Sequence, residues 1–123
     1  MDREQVFKKI LDCCFNVHTE LGPGLLESAY EACLMFELKQ EGLNVKQQVA
    51  VPIIYKGVEL DVGYRIDLLV NNEIIVELKS VEKMKDIHLA QILTYLKLAE
   101  CKLGLLVNFN EKHLKDGIKR VIL

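Results

Sequence analysis

The sequence predicts an α+β fold in which a mixed β-sheet is flanked by helices. Three observations carry that expectation. Apolar residues recur at three- and four-residue steps as far as Glu41, the helical period. From Val45 the period switches to two, the signature of strands. LGLLVNF (103–109) is then a continuous apolar run, as expected of a strand buried on both faces. Two helices, a β-meander, a helix and a core strand make a layered sheet.

Taken in order, residues 3–21 form an amphipathic helix with Val6, Ile10, Cys13, Cys14, Val17 and Leu21 on its apolar stripe. Gly22-Pro23-Gly24 ends it, because proline cannot continue a helix. A second helix runs from Leu26 to Glu41, its stripe Leu26, Ala29, Tyr30, Cys33, Leu34 and Leu38, with Gly42 as the stop. VKQQVAVPIIY reads as one strand, bent or edge-placed at Pro52. Lys56-Gly57 turns the chain, and VELDVGYRIDLLV is one strand or a pair broken near Gly63. Asn71-Asn72 makes a hairpin turn, since asparagine accepts positive φ readily. EIIVELKS is the next strand, Asp86 the expected N-cap of a helix over 87–99, and IKRVIL a final edge strand.

A chain of 123 residues is expected to form one domain, 1–123, and half its residues are hydrophobic, enough for a core without disulfides. No apolar run reaches the length of a membrane span, and MDREQVFKKI lacks the apolar block of a secretory signal. Cys13, Cys14, Cys33 and Cys101 have neither zinc-knuckle nor disulfide-framework spacing, so buried reduced thiols and a cytoplasmic setting are expected. The net charge of −2 argues on its face against a nucleic-acid binder. Its distribution is uneven: residues 1–78 carry 7 Lys/Arg and 13 Asp/Glu, residues 79–123 carry 9 and 5. Such asymmetry suits a basic rim beside an acidic pocket.

The chemistry concentrates in Arg65-Ile66-Asp67 and Glu77-Leu78-Lys79. Residues two apart on a strand share a face, so Glu77 and Lys79 project together. Whether Asp67 joins them depends on the hairpin register. A strict two-residue loop sets Asp67 opposite Val76 and turns it to the other face. A loop over 71–73 sets it opposite Glu77, with Cβ atoms about 4.5–5.5 Å apart. Carboxylates that close repel unless protonated or bridged by a cation, and hard oxygens suit Mg²⁺ or Mn²⁺. The same residues also fit a cross-strand salt bridge on a solvated face. Arg65, on the Asp67 side, either meets phosphate or pairs with that acid.

Elsewhere GLLESAY (24–30) fits G-x-x-E-x-x-Y and QILTY (91–95) fits Q-x-x-x-Y. With LGPGLLESAYEACL, YRIDLLV, IIVELKS, QILTYLK and LGLLVNF, the chain resembles over nearly its whole length the GxxExxY proteins, a branch of the PD-(D/E)XK nuclease superfamily. The resemblance implies a restriction-endonuclease-like αβββαβ core with an extra N-terminal helix. It also implies a metal, Mg²⁺ or Mn²⁺, held by the Asp67 and Glu77 carboxylates and the Leu78 carbonyl, with Lys79 activating or placing water. Glu27 matches the helical acid that reaches the same metal in RecB-like members, and Gln91 and Tyr95 match the helical motif beside it. One departure is Ile66-Asp67 where the eponymous motif has Pro-Asp.

The expected function is thus a metal-dependent nuclease acting on nucleic acid, DNA before RNA. A non-catalytic binding or dimerisation module that keeps the fold is the competing class, and a homodimer fits either. Glu27 near a helix N-terminus equally complements the macrodipole, and Tyr30 and Tyr95 equally serve as packing residues. His18, before the LGPG turn, flanks the pocket or lies on the surface; His88 and His113 lack ligand spacing.

Overall fold

The computed structural model describes residues 1–123. Helix α1 (Arg3–Leu21) opens with a capping box: Asp2 accepts the Gln5 N–H at 2.8 Å, and the Gln5 amide oxygen accepts the Asp2 N–H. Its buried stripe is Val6, Phe7, Ile10, Cys13, Cys14 and Val17; Leu21, expected inside, is exposed because the helix ends there. Helix α2 (Glu27–Gln40) buries Tyr30, Leu34, Met35 and Leu38. Leu26, expected on its stripe, is instead its solvent-facing N-cap.

The expected single strand 45–55 is two strands in two sheets. Strand β1 (Val45–Ala50) ends before Pro52, and β2 (Ile53–Tyr55) pairs only with β3 (Val58–Leu60) in a separate hairpin. Pro52 carries no N–H with which to continue a ladder. The chain returns as β4 (Arg65–Val70) and turns into β5 (Ile74–Lys79). Asn71 and Asn72 both have positive φ, 52° and 56°. After β5 come α3 (Asp86–Leu98), β6 (Leu103–Asn108), a 3₁₀ turn (Leu114–Gly117) and β7 (Ile118–Ile122). Asp86 is the first residue of α3 rather than its cap: Lys85 takes that place, and its N–H is accepted by His88 Nδ1 at 3.0 Å.

The main sheet has the order β1-β4-β5-β6-β7. Only β5 and β6 run parallel, joined over one face by α3, which makes the sheet mixed. Helices α1 and α2 cover the other face, where Ile10, Tyr30, Leu34, Leu68, Val76 and Leu105 belong to the larger core. Beneath α3 a smaller core gathers Ile66, Ile75, Ile92, Leu96 and Leu106. Strand β6 is therefore buried at every position, as its unbroken apolar run predicts. Gly104 makes room for α3: a Cβ there would lie 3.0 Å from Ile92 Cδ1. The fold is α+β, three helices around a five-stranded sheet, and no helix is long and apolar enough to cross a membrane.

Candidate functional site

The β4–β5 hairpin fixes two acids. Its pairs are Val70↔Ile74, Leu69↔Ile75 and Leu68↔Val76, so the loop takes three residues and the register sets Asp67 against Glu77. Regular pairing ends there on the β5 side of β4 and is interrupted there on the β1 side. Strand β1 pairs Gln47 with Leu68 and Val49 with Ile66 but skips Gln48 and Asp67, and Gln48 has φ +51°. Side chains take over the backbone groups at the break. The Asp67 N–H donates to Glu77 Oε1 at 3.3 Å, and the Leu78 N–H donates to Asp67 Oδ2 at 2.9 Å. Each carboxylate thus reaches the opposite strand.

Glu77 is only 3 % exposed. Burial first, and then the hydrogen bond and negative charge of Asp67, push its carboxyl up to about 9; the Lys79 charge works the other way. Near neutral pH Glu77 therefore keeps its proton.

Lys79 follows on the same face of β5, with Nζ 3.5 Å from Gln91 Oε1 on α3, the outer limit of a hydrogen bond. One turn further along α3, Tyr95 is buried. Burial, and next the charges of Glu77 and Asp67, raise its phenol above the usual range, while the neighbouring Gln91 amide works the other way. Gln91 and Tyr95 thus share the helix face that looks onto the acids and the lysine.

Glu27 comes from the opposite side of the sheet. It is the first residue of α2, exposed, and its Oε2 accepts the Ser80 N–H just past β5 at 3.4 Å. The loop before it is pinned from two places. Ser80 Oγ donates to the Leu25 carbonyl at 2.6 Å, and the buried Tyr30 hydroxyl donates to the Gly22 carbonyl at 2.6 Å while accepting the Leu25 N–H. Tyr30 is thus an anchor packed in the core, stacked on Phe109 at 4.6 Å between ring centroids.

Three residues beside the site had escaped the sequence reading. Gln48 Nε2 bridges Glu31 Oε1 (2.9 Å) and Asp67 Oδ1 (3.3 Å). Glu31, one helical turn after Glu27, has its carboxyl raised by burial, then by the Asp67 charge. Its four-residue spacing from Glu27 was the available signal. The third is Asn108, fully buried at the end of β6; its amide accepts the Val81 N–H at 3.1 Å and donates to the Val81 carbonyl at 2.9 Å. It holds the segment leaving Lys79 as a strand partner would.

Other candidates go elsewhere. Arg65 turns away to Asp61 Oδ1 (3.3 Å) and the Tyr64 carbonyl, not to Asp67. His18 Nε2 lies 2.7 Å from the Glu111 carbonyl. All four cysteines are free thiols, three of them buried. Asp67 and Glu77 are paired, but no three His, Cys, Asp or Glu side chains converge closely enough to cage an ion, Glu27 being engaged at Ser80 and Glu31 at Gln48.

No curated protein and no solved structure matches the chain. A family model does, across both site acids, the lysine and the α3 motif. On that match, over residues 4–121, the chain belongs to the PD-(D/E)XK nuclease superfamily.

Proposed function

We propose that this protein is a divalent-metal-dependent nuclease that hydrolyses phosphodiester bonds in nucleic acid, DNA before RNA. The observation that carries the reading is the hairpin mouth, where Asp67 faces Glu77 and Lys79 follows on the same face. A buried Glu77 that keeps its proton beside the half-buried Asp67 is a donor set in which a doubly charged cation takes the proton's place. Asp67, Glu77 and the Leu78 carbonyl would hold Mg²⁺ or Mn²⁺, with Glu27 as a further acid from α2. These are hard oxygens that leave coordination positions for water and phosphate. When bound, such an ion stabilises charge on phosphate oxygens and lowers the pKa of a bound water.

The chain's own groups do the rest. Lys79 presents its ammonium beside the acids, placed to orient the attacking water and to donate to a phosphate oxygen as charge builds there. Gln91 steadies that ammonium from α3, and Tyr95 closes the wall with a hydroxyl that stays protonated. Single- and double-stranded DNA and RNA are incubated with Mn²⁺ and the wild-type protein, and in parallel with Lys79→Ala. Cleavage should appear with the wild type and fall by roughly 10²–10⁴-fold in the variant. Undiminished cleavage by the variant would reject this site.

A non-catalytic binding module is the second reading, favoured by the β2–β3 hairpin, which leaves Ile54, Tyr55 and Val58 solvent-exposed outside the main sheet. Nucleic-acid binding with no cleavage at any Mn²⁺ concentration would select it.

A further inference from the structure

Between the base of the β2–β3 excursion and helix α3 lies a cavity of about 370 Å³ that opens beside Lys79. This is the scale of pockets that hold small organic groups. Its character differs from that of the acidic hairpin mouth. Tyr64, just before β4, is 44 % exposed, and Ile87, on the first turn of α3, is 68 % exposed. Tyr95, which lines the same cavity, meets Tyr64 at a tilt, ring centroids 6.2 Å apart. No acidic side chain lines the cavity.

The polar groups between these apolar walls offer both donors and acceptors. His88 Nδ1 accepts the Lys85 N–H, so the neutral ring carries its proton on Nε2. The Thr94 hydroxyl donates to the Ala90 carbonyl at 3.0 Å, which leaves its oxygen as an acceptor. Gln91 supplies an amide with both functions. A second hollow shares His88 and is lined by Lys83 and Lys85 together with Glu82; neither lysine is in an ion pair, so the two cations outnumber the one acid. An aromatic face, a mixed polar edge and adjoining free cations match one nucleotide in its parts: base face, base edge and flanking phosphates.

We infer that the Tyr64–Ile87–Thr94 pocket holds a single unpaired nucleobase of the substrate strand, stacked on Tyr64, while its phosphates run past Lys79 toward Lys83 and Lys85. The substrate is then single-stranded or locally opened nucleic acid, because the faces of a base in a duplex are covered by its stacked neighbours. This assignment rests on the nuclease reading and narrows it.

The test compares the wild type, Tyr64→Ala and Tyr64→Phe. Fluorescein-labelled single-stranded DNA, single-stranded RNA and blunt duplex DNA of equal length serve as probes. Binding is followed by anisotropy in EDTA and cleavage by gel with Mn²⁺. The wild type should bind a single strand at least about tenfold more tightly than the duplex. Tyr64→Ala should lose about tenfold on single strands and nothing on the duplex, Tyr64→Phe should behave as wild type, and all three should melt alike. Equal affinity for duplex and single strand, or a Tyr64→Ala variant that binds and cuts single strands as the wild type does, overturns the base pocket. In that case Lys79-dependent cleavage would leave the nuclease reading standing. Neither binding nor cleavage of any probe overturns both.

Discussion

Asp67 and Glu77 face each other across the β4–β5 hairpin, each lending a carboxylate oxygen to a backbone N–H that regular pairing has abandoned: Glu77 to that of Asp67, and Asp67 to that of Leu78. The arrangement places one titratable proton at the centre of the site, and a pH dependence follows. Glu77 binds its proton more tightly in the folded protein, with a pKa of about 9 against an ordinary 4.5. The stabilisation is complete below the ordinary value and is lost as pH rises toward about 9. Thermal melts of the metal-free protein should therefore fall between pH 5 and 9, by roughly the differential interaction that linkage assigns to the shift. Mg²⁺ or Mn²⁺ should raise the melting temperature more at pH 8.5 than at pH 6, because the cation competes with that proton.

Glu77→Gln replaces the Glu77 proton with an amide N–H. Its melting temperature should be close to that of the wild type at pH 6, higher at pH 8.5, and indifferent to Mn²⁺. Calorimetry at both pH values checks this. A buried ion pair predicts the reverse, a loss of roughly 3–5 kcal/mol on removing one charge.

Tyr30→Phe keeps the stack on Phe109 and removes a hydroxyl bonded to both the Gly22 carbonyl and the Leu25 N–H. Urea titration should show a loss of about 1–2 kcal/mol. Cleavage should weaken as well, since the loosened loop leads directly into Glu27.

Asn108→Ala removes both bonds to Val81 from a fully buried position. A loss of about 2–3 kcal/mol is expected from the stranded backbone groups. Amide exchange should quicken over 80–85, the segment that carries Lys83 and Lys85, ahead of the core strands.

Gly117→Ala would set a Cβ 2.5 Å from the Asn108 carbonyl oxygen. Backbone cannot yield as a flexible side chain does, so a loss of about 1–3 kcal/mol is expected, visible as an earlier urea midpoint.

The sequence by itself determined the helices and the buried strand. The stripes of α1 and α2, the switch of period at Val45 and the unbroken run of β6 are local periodicities, and local periodicity decides which face an element must hide. It also placed Glu77 and Lys79 together, because alternation within one strand needs no partner. It could not decide Asp67. Two loop lengths fit Asn71-Asn72 equally, and only the pairing of Leu68 with Val76 selects the three-residue loop. The parting of β1 from β2 at Pro52, the approach of Gln48 and Glu31 to Asp67, and the grip of Asn108 on Val81 likewise join residues from 17 to 36 positions apart or settle which sheet a strand enters. Such contacts depend on how whole elements pack, and no window along the chain contains that information. The acids were legible as residue types; their convergence was the work of the tertiary fold.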